Sequence, residues 1–219
     1  MENTIKNSWR DVTINEYFEL VDKLEDDGLN DYDKEIIKVS FTTGKSEDEI
    51  WSLNINQFRD LQVQSIWLDE FKINEGIKFN KIEINGEKYK IDTNLQNFTV
   101  AQYIDFQNFY PKFKNNKKTI GNVLACFIIP VGKNYAEDYD IQEVVGLINE
   151  HLDILTANEI MFFFLKQYLI SMRVTVNYFN WILKRVKKKI KNKEKLTDLE
   201  MKWSQMKRLT LDGLRSLTM

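Results

Sequence analysis

Thr156-Ala157-Asn158-Glu159-Ile160-Met161-Phe162-Phe163-Phe164-Leu165 begins a stretch with no Pro or Gly until Gly213. Thr156 and Glu159 have the spacing of a capping box: the hydroxyl accepts from the Glu159 N–H, and the carboxylate reaches back to the Thr156 N–H. The stretch predicts one helix from Thr156 to about Lys193, about 55 Å long. Its first two-thirds continue through Tyr168, Leu169, Met172, Val176, Tyr178, Phe179, Trp181 and Ile182. Its last third reads Lys184-Arg185-Val186-Lys187-Lys188-Lys189-Ile190-Lys191-Asn192-Lys193. Such a helix begins in an aromatic core and ends as a basic rod in solvent. Phe163 and Trp181 are candidate core positions, but only some aromatics of one helix can face inward, so one of the two can be spared.

The 219 residues are 43% apolar and 29% charged, a globular composition with enough chain to bury a core. Two Pro and eight Gly favour long helices over many tight turns. Cys126 is the one cysteine, which excludes an internal disulfide and fits a reducing compartment. It lies in the apolar run Val123 to Ile129, where a buried, inert thiol is expected. The first six residues carry no apolar signal region, and Lys166 and Arg173 interrupt the long apolar face, so no membrane span is expected.

The net charge of −2 hides a strong asymmetry. Asp11 to Glu75 holds 17 acidic residues against 6 basic, whereas Lys184 to Lys195 holds 8 basic against 1 acidic. A chain polarised in this way can attract copies of itself head to tail, or attach to two different partners.

The remaining elements follow from caps and periodicity. Thr13 and Glu16 open a helix running towards Gly28, Asn30 or Asp31 opens one that ends at Thr43-Gly44, and Ser46 caps a short helix through Trp51. Asn54 or Asn56 starts a fourth, with Phe58, Leu61, Ile66, Trp67 and Leu68 inward. Alternation then appears on either side of Asn85-Gly86, whose residues tolerate the positive φ of a type I′ hairpin turn. Thr99 and Gln102 begin a helix that stops near Pro111, with Phe98 expected to pack on Tyr103 as a staple. Ile120 to Ile129 reads as an apolar helix ended by Pro130. Asp140 caps a helix to about Leu152, and Thr197 starts a last helix that folds back on the long one. The expected fold is mainly α, with one β-hairpin and a C-terminal helical hairpin. Its parts are an acidic helical subdomain (1–75), the hairpin with further helices (76–155), and the long helix with its antiparallel partner (156–219).

The motifs argue against catalysis. Gly44-Lys45-Ser46 has the tail of a phosphate loop, but Val39 stands where the first Gly belongs and Glu47-Asp48-Glu49 would repel phosphate. His151, the one histidine, needs no role beyond the end of its helix. The acidic clusters lack the spacing of a calcium loop. No catalytic, cofactor-binding or metal-ligating residue is assigned, and no cofactor is expected. The one candidate contact site is Lys184, Arg185, Lys187, Lys188 and Lys191. A solvated helix end, a contact with an acidic protein neighbour and a nonspecific nucleic-acid contact all fit it.

Five stretches resemble known phage proteins. Trp9-Arg10-Asp11-Val12-Thr13-Ile14 with Tyr17 and Leu20, followed by Thr43 to Ile50, is similar to the opening of small proteins from the structural gene blocks of tailed phages, some of them tail assembly chaperones. Ala101 to Asn108, Phe127 to Tyr135 and Met161 to Gln167 resemble uncharacterised proteins of crAss-like and related Bacteroidetes phages. The resemblance implies a non-enzymatic virion component near the portal or tail, or packaged in the head. Its partners would be other phage structural proteins in an oligomeric assembly, and its place the virion or the host cytoplasm. An assembly chaperone absent from the finished particle, and a nonspecific nucleic-acid-binding packaging protein with DNA contact through the basic helix end, are the alternatives. The basic end beyond Lys184 lies outside the resemblance.

Lys184, Lys187, Lys188 and Lys191 share one side of a helix by the i, i+3, i+4, i+7 rule. Replacing all four by Gln is expected to leave the fold intact and to weaken assembly, most strongly at low salt. Co-sedimentation with particles, and separately with duplex DNA, across a salt series measures this; equal retention at every salt would make the basic run a solubility device.

Overall fold

A computed structural model describes residues 5–72, 80–92 and 97–189. Its architecture is mainly α with a small antiparallel sheet. Two compact units are present, Met1–Phe162 and Phe163–Met219.

The first unit opens with Ser8, whose side chain caps a 3-10 turn over Trp9–Asp11. Four short helices follow: α1 (Ile14–Leu24), α2 (Asp31–Thr43), α3 (Glu47–Trp51) and α4 (Ile55–Ser65). Thr13, Asn30, Ser46 and Asn54 each complete a capping box, so the predicted starts hold. Gly44 ends α2 at φ 68°, a conformation that glycine adopts without a Cβ penalty. The first helix stops at Leu24 instead of running to Gly28. The reason is local: the Asp26 carboxylate accepts from the Gly28 N–H and closes a tight turn. After α4 the chain tightens into a 3-10 turn over Ile66–Asp69, which leaves Ile66 exposed and Trp67 and Leu68 half-buried.

The hairpin forms as expected. Strands β1 (Lys81–Ile84) and β2 (Glu87–Ile91) flank Asn85 at φ 51° and Gly86 at φ 78°. Ile84, Tyr89 and Ile91 are buried, while Lys81, Glu83, Lys88 and Lys90 face out.

Helix α5 (Val100–Asn115) starts at the Thr99–Gln102 box, but Pro111 lies inside it. A proline there removes one backbone hydrogen bond. Continuation past it buries Phe113, which stacks on Tyr110 with ring centroids 6.5 Å apart. Phe98 also departs from expectation: it stacks on Phe127 at 5.6 Å, and Tyr103 is exposed.

The predicted helix over Ile120–Ile129 is half right. Helix α6 (Ile120–Leu124) lasts barely a turn, and Ile128–Pro130 becomes strand β3, antiparallel to β2. Ile91 pairs with Ile128 and Tyr89 with Pro130. The uncovered edge of β2 offers backbone partners that a helix would forgo, and Pro130 sits at the strand end where a missing donor is tolerated. Between α6 and β3, Cys126 is fully buried. Gln102 donates from Nε2 to the Cys126 carbonyl at 3.1 Å, and the Tyr135 hydroxyl donates to Asp105 at 2.9 Å. Helix α7 (Ile141–His151) follows, capped by Asp140.

Helix α8 (Ile154–Lys189) starts two residues before the predicted cap. Asp153 takes the capping role, accepting from the Thr156 N–H at 2.8 Å. Thr156 and Glu159 do not form a box. Arg10 claims both: Nη1 donates to the Thr156 hydroxyl at 2.6 Å, and Nη2 reaches both Glu159 oxygens at 3.0 Å. Backbone pairing sets this up. The Ile14 N–H donates to Leu152 O and the Ile154 N–H to Val12 O, around an antiparallel bridge between Thr13 and Asp153. Ile154, Ala157, Ile160 and Met161 on the first turns of α8 are buried.

The described part of the second unit is the remainder of α8. Phe164 and Leu165 are buried there; no described side chain beyond them is. Phe163 is half-buried and Trp181 is 48% exposed, so Trp181 is the one of the two that is spared. The reason is that a long helix passes its aromatics around all sides, and only one stripe can face a core. The predicted last helix from Thr197 lies outside the described residues.

Arg10→Ala is expected to lower stability by about 2–4 kcal/mol, because it removes the guanidinium paired with the Glu159 carboxylate, which is 4% exposed. The part-exposed guanidinium keeps the loss below that of a wholly buried pair. Urea unfolding of wild type, Arg10→Ala and the double variant with Glu159→Leu measures the coupling; a loss under about 0.5 kcal/mol would reduce the clamp to an ordinary surface contact.

Burial pushes the Cys126 thiol up to about 12, with the Asp105 charge adding to the rise against an opposing hydrogen bond from Tyr135. The native protein is therefore expected to resist a thiolate-directed alkylating reagent at pH 8 and to react fully once unfolded in guanidinium. Equal labelling rates in the two states would contradict the buried position.

Candidate interaction surface

The sequence-predicted contact residues lie on the second half of α8 or beyond it. Lys184 is exposed; Arg185, Lys187 and Lys188 fall within the helix; Lys191 lies outside the described residues. Positions 184, 187 and 188 share one helix side by their spacing. One turn earlier, Tyr178 and Trp181 stack with ring centroids 6.0 Å apart, so aromatics adjoin the start of the basic run.

A second surface was not singled out by the sequence. It is a groove of about 680 Å³ where the first turns of α2 and α4 meet the end of α3. Ile36 and Ile50 form its buried floor, with Leu53 and Phe58 half-buried beside them. Tyr32, Trp51 and Ile55 stand at its walls with 75%, 62% and 62% of their surfaces exposed. Burying side chains of this kind is worth about 1.5–3 kcal/mol each. Three large apolar groups left in water around one depression mark an interaction site far better than scattered single ones would.

The groove has a firm floor and an acidic rim. Ile36, Val39 and Ile50 form a small core of their own, packed by Leu53, Phe58 and Leu61. Behind it, Glu35 accepts from Gln62 at 2.8 Å and from Lys38 at 2.9 Å, and Lys38 also reaches Asp69 at 2.9 Å. Burial alone would push the Glu35 carboxyl up, but the bonds from Gln62 and Lys38 outweigh it and leave the group below the usual carboxylate range. Lys38 is correspondingly held above its ordinary value: burial opposes this, and Glu35 and Asp69 prevail. These charges are spent on joining α2 to α4 and to the turn beyond it. Asp31 lines the groove, and Glu47, Asp48 and Glu49 are exposed on the helix that ends in Trp51. From Asn30 to Gln62 the sequence holds seven carboxylates against four cations.

The residues of the groove were visible in the sequence but their exposure was not. Tyr32 sits one turn before Ile36 and shares its side by spacing, whereas Trp51 directly follows buried Ile50 and is turned about 100° from it. Only the packing of three short helices shows which of them is left outside.

Among the described residues, no group of three or more His, Cys, Asp or Glu is placed to hold a metal ion, and no helix is long and apolar enough to cross a membrane. His151 is exposed at the end of α7, with Glu150 at 3.9 Å; Asp153 is engaged with Thr156 and Arg10. No family model, curated protein or solved structure matches the chain.

Proposed function

We propose that the chain is a non-enzymatic component of a tailed-phage particle, at the portal or tail vertex or packaged in the head, and that it acts through protein contacts. The observation that carries the mode of action is the exposed apolar groove between α2, α3 and α4. An open, largely apolar trough with a carboxylate rim suits a docked chain better than a small substrate, which needs convergent polar groups in an enclosed site. The phage setting comes from the resemblance of Trp9–Ile14, Thr43–Ile50, Ala101–Asn108, Phe127–Tyr135 and Met161–Gln167 to structural-block proteins.

The same groove would serve an assembly chaperone, which holds an apolar client segment and then leaves. Mass spectrometry of purified particles, alongside unfinished assembly intermediates, separates the two. Retention in finished particles at a fixed ratio to the major capsid protein is the expected result. Presence only in intermediates would identify the chaperone, and absence from both would remove the phage assembly reading.

A further inference from the structure

We propose that the groove of α2, α3 and α4 is the socket for the basic second half of α8 from another copy of this chain, so that copies join head to tail. The inference rests on the protein-contact reading above and names the partner.

The groove asks for a helix with an apolar stripe and positive flanks. Its floor is Ile36 and Ile50, its walls Tyr32, Trp51 and Ile55, and its rim Asp31 and the exposed carboxylates of α3. An amphipathic helix laid in such a trough buries residues at i, i+4 and i+7 or i+8 and leaves its charges at the edges. The segment Ile170–Lys189 supplies an apolar stripe that passes into cations at its C-terminal end. Ile170, Val174, Tyr178 and Trp181 follow one stripe by spacing, Arg185 and Lys188 continue the same side beyond it, and the segment holds six basic residues and no acidic one. Ile170, Tyr178 and Trp181 are 50%, 57% and 48% exposed, so each retains surface that a partner can cover. The charge bias of 17 acidic against 6 basic over Asp11 to Glu75 meets the 8 to 1 bias over Lys184 to Lys195. Opposite potentials of this size speed encounter and fix which face meets which.

Socket and plug are different stretches of the same chain, so each copy carries one of each. Two copies that exchange plugs close as a two-fold pair, and copies that pass the plug onward form rings or filaments.

The test uses the full-length chain and a fluorescent peptide spanning Ile170–Lys189. The peptide is expected to bind, and Trp51→Ala with Ile55→Ala is expected to weaken binding at least about tenfold, with the melting temperature unchanged because both residues are exposed. A peptide with all its Lys and Arg replaced by Gln should bind about tenfold more weakly at low salt, and the difference should vanish near 1 M salt, where screening acts within about 3 Å. Sedimentation velocity of the chain alone should show concentration-dependent species larger than the monomer that the groove variant loses. The proposal is overturned by a chain that stays monomeric at every concentration and ignores the peptide. Self-association or peptide binding that survives the groove substitutions, or that is indifferent to charge and salt, overturns it equally. None of these outcomes depends on whether particles retain the protein, so this failure and that of the phage reading can be told apart.

Discussion

Glu159 is a carboxylate almost without access to water, and the start of α8 is arranged around that fact. An unpaired ion in such a place costs several kcal/mol, so a partner must arrive with suitable geometry. Arg10 supplies a planar fork that matches both oxygens, and its second arm takes the Thr156 hydroxyl. That requirement fixes the N-terminal segment against the start of α8. Once Arg10 is placed, Val12 and Ile14 are aligned to exchange backbone bonds with Leu152 and Ile154, and the bridge at Thr13 and Asp153 closes. Thr13 in turn caps α1, so one ion pair sets the direction in which the helical subdomain departs.

The groove follows from the scale of the elements. Helices α2, α3 and α4 are 13, 5 and 11 residues long, and together they bury only a small cluster around Val39. Short helices are held by their caps as much as by their core, and each of these begins with a complete capping box. The caps stabilise the helix ends without covering the side chains nearby. Tyr32, Trp51 and Ile55, all within two residues of a helix end, are what such a build leaves outside. The Glu35–Lys38–Asp69 pairing ties α2 to the turn after α4 behind the groove.

Two misreadings share one cause. Local preference read Ile120–Ile129 as helix and Pro111 as a stop. In both places tertiary structure outweighed it: β2 presented an open edge to Ile128, and α5 continues through the proline to the buried Phe113. The capping box at Thr156 failed for the same reason, since its side chains met Arg10, 146 and 149 residues away in sequence, before they met their own backbone.

By itself the sequence determined the elements whose chemistry is local. Side chains three residues apart cap α1 to α5, Asn85-Gly86 supplies the positive φ of the hairpin, and Gly44 ends α2 in the left-handed region. It also determined the charge polarity and the inert setting of Cys126, which need only composition and an apolar run. Tertiary structure decided β3, the true start of α8, and which aromatics are left outside. Each of these depends on what lies across from a residue, and one chain read in one dimension carries caps and periods but not the identity of the opposing surface. The candidate groove belongs to this second group. Its residues stand among core residues in the sequence, and they became a surface because three short helices cannot enclose them all.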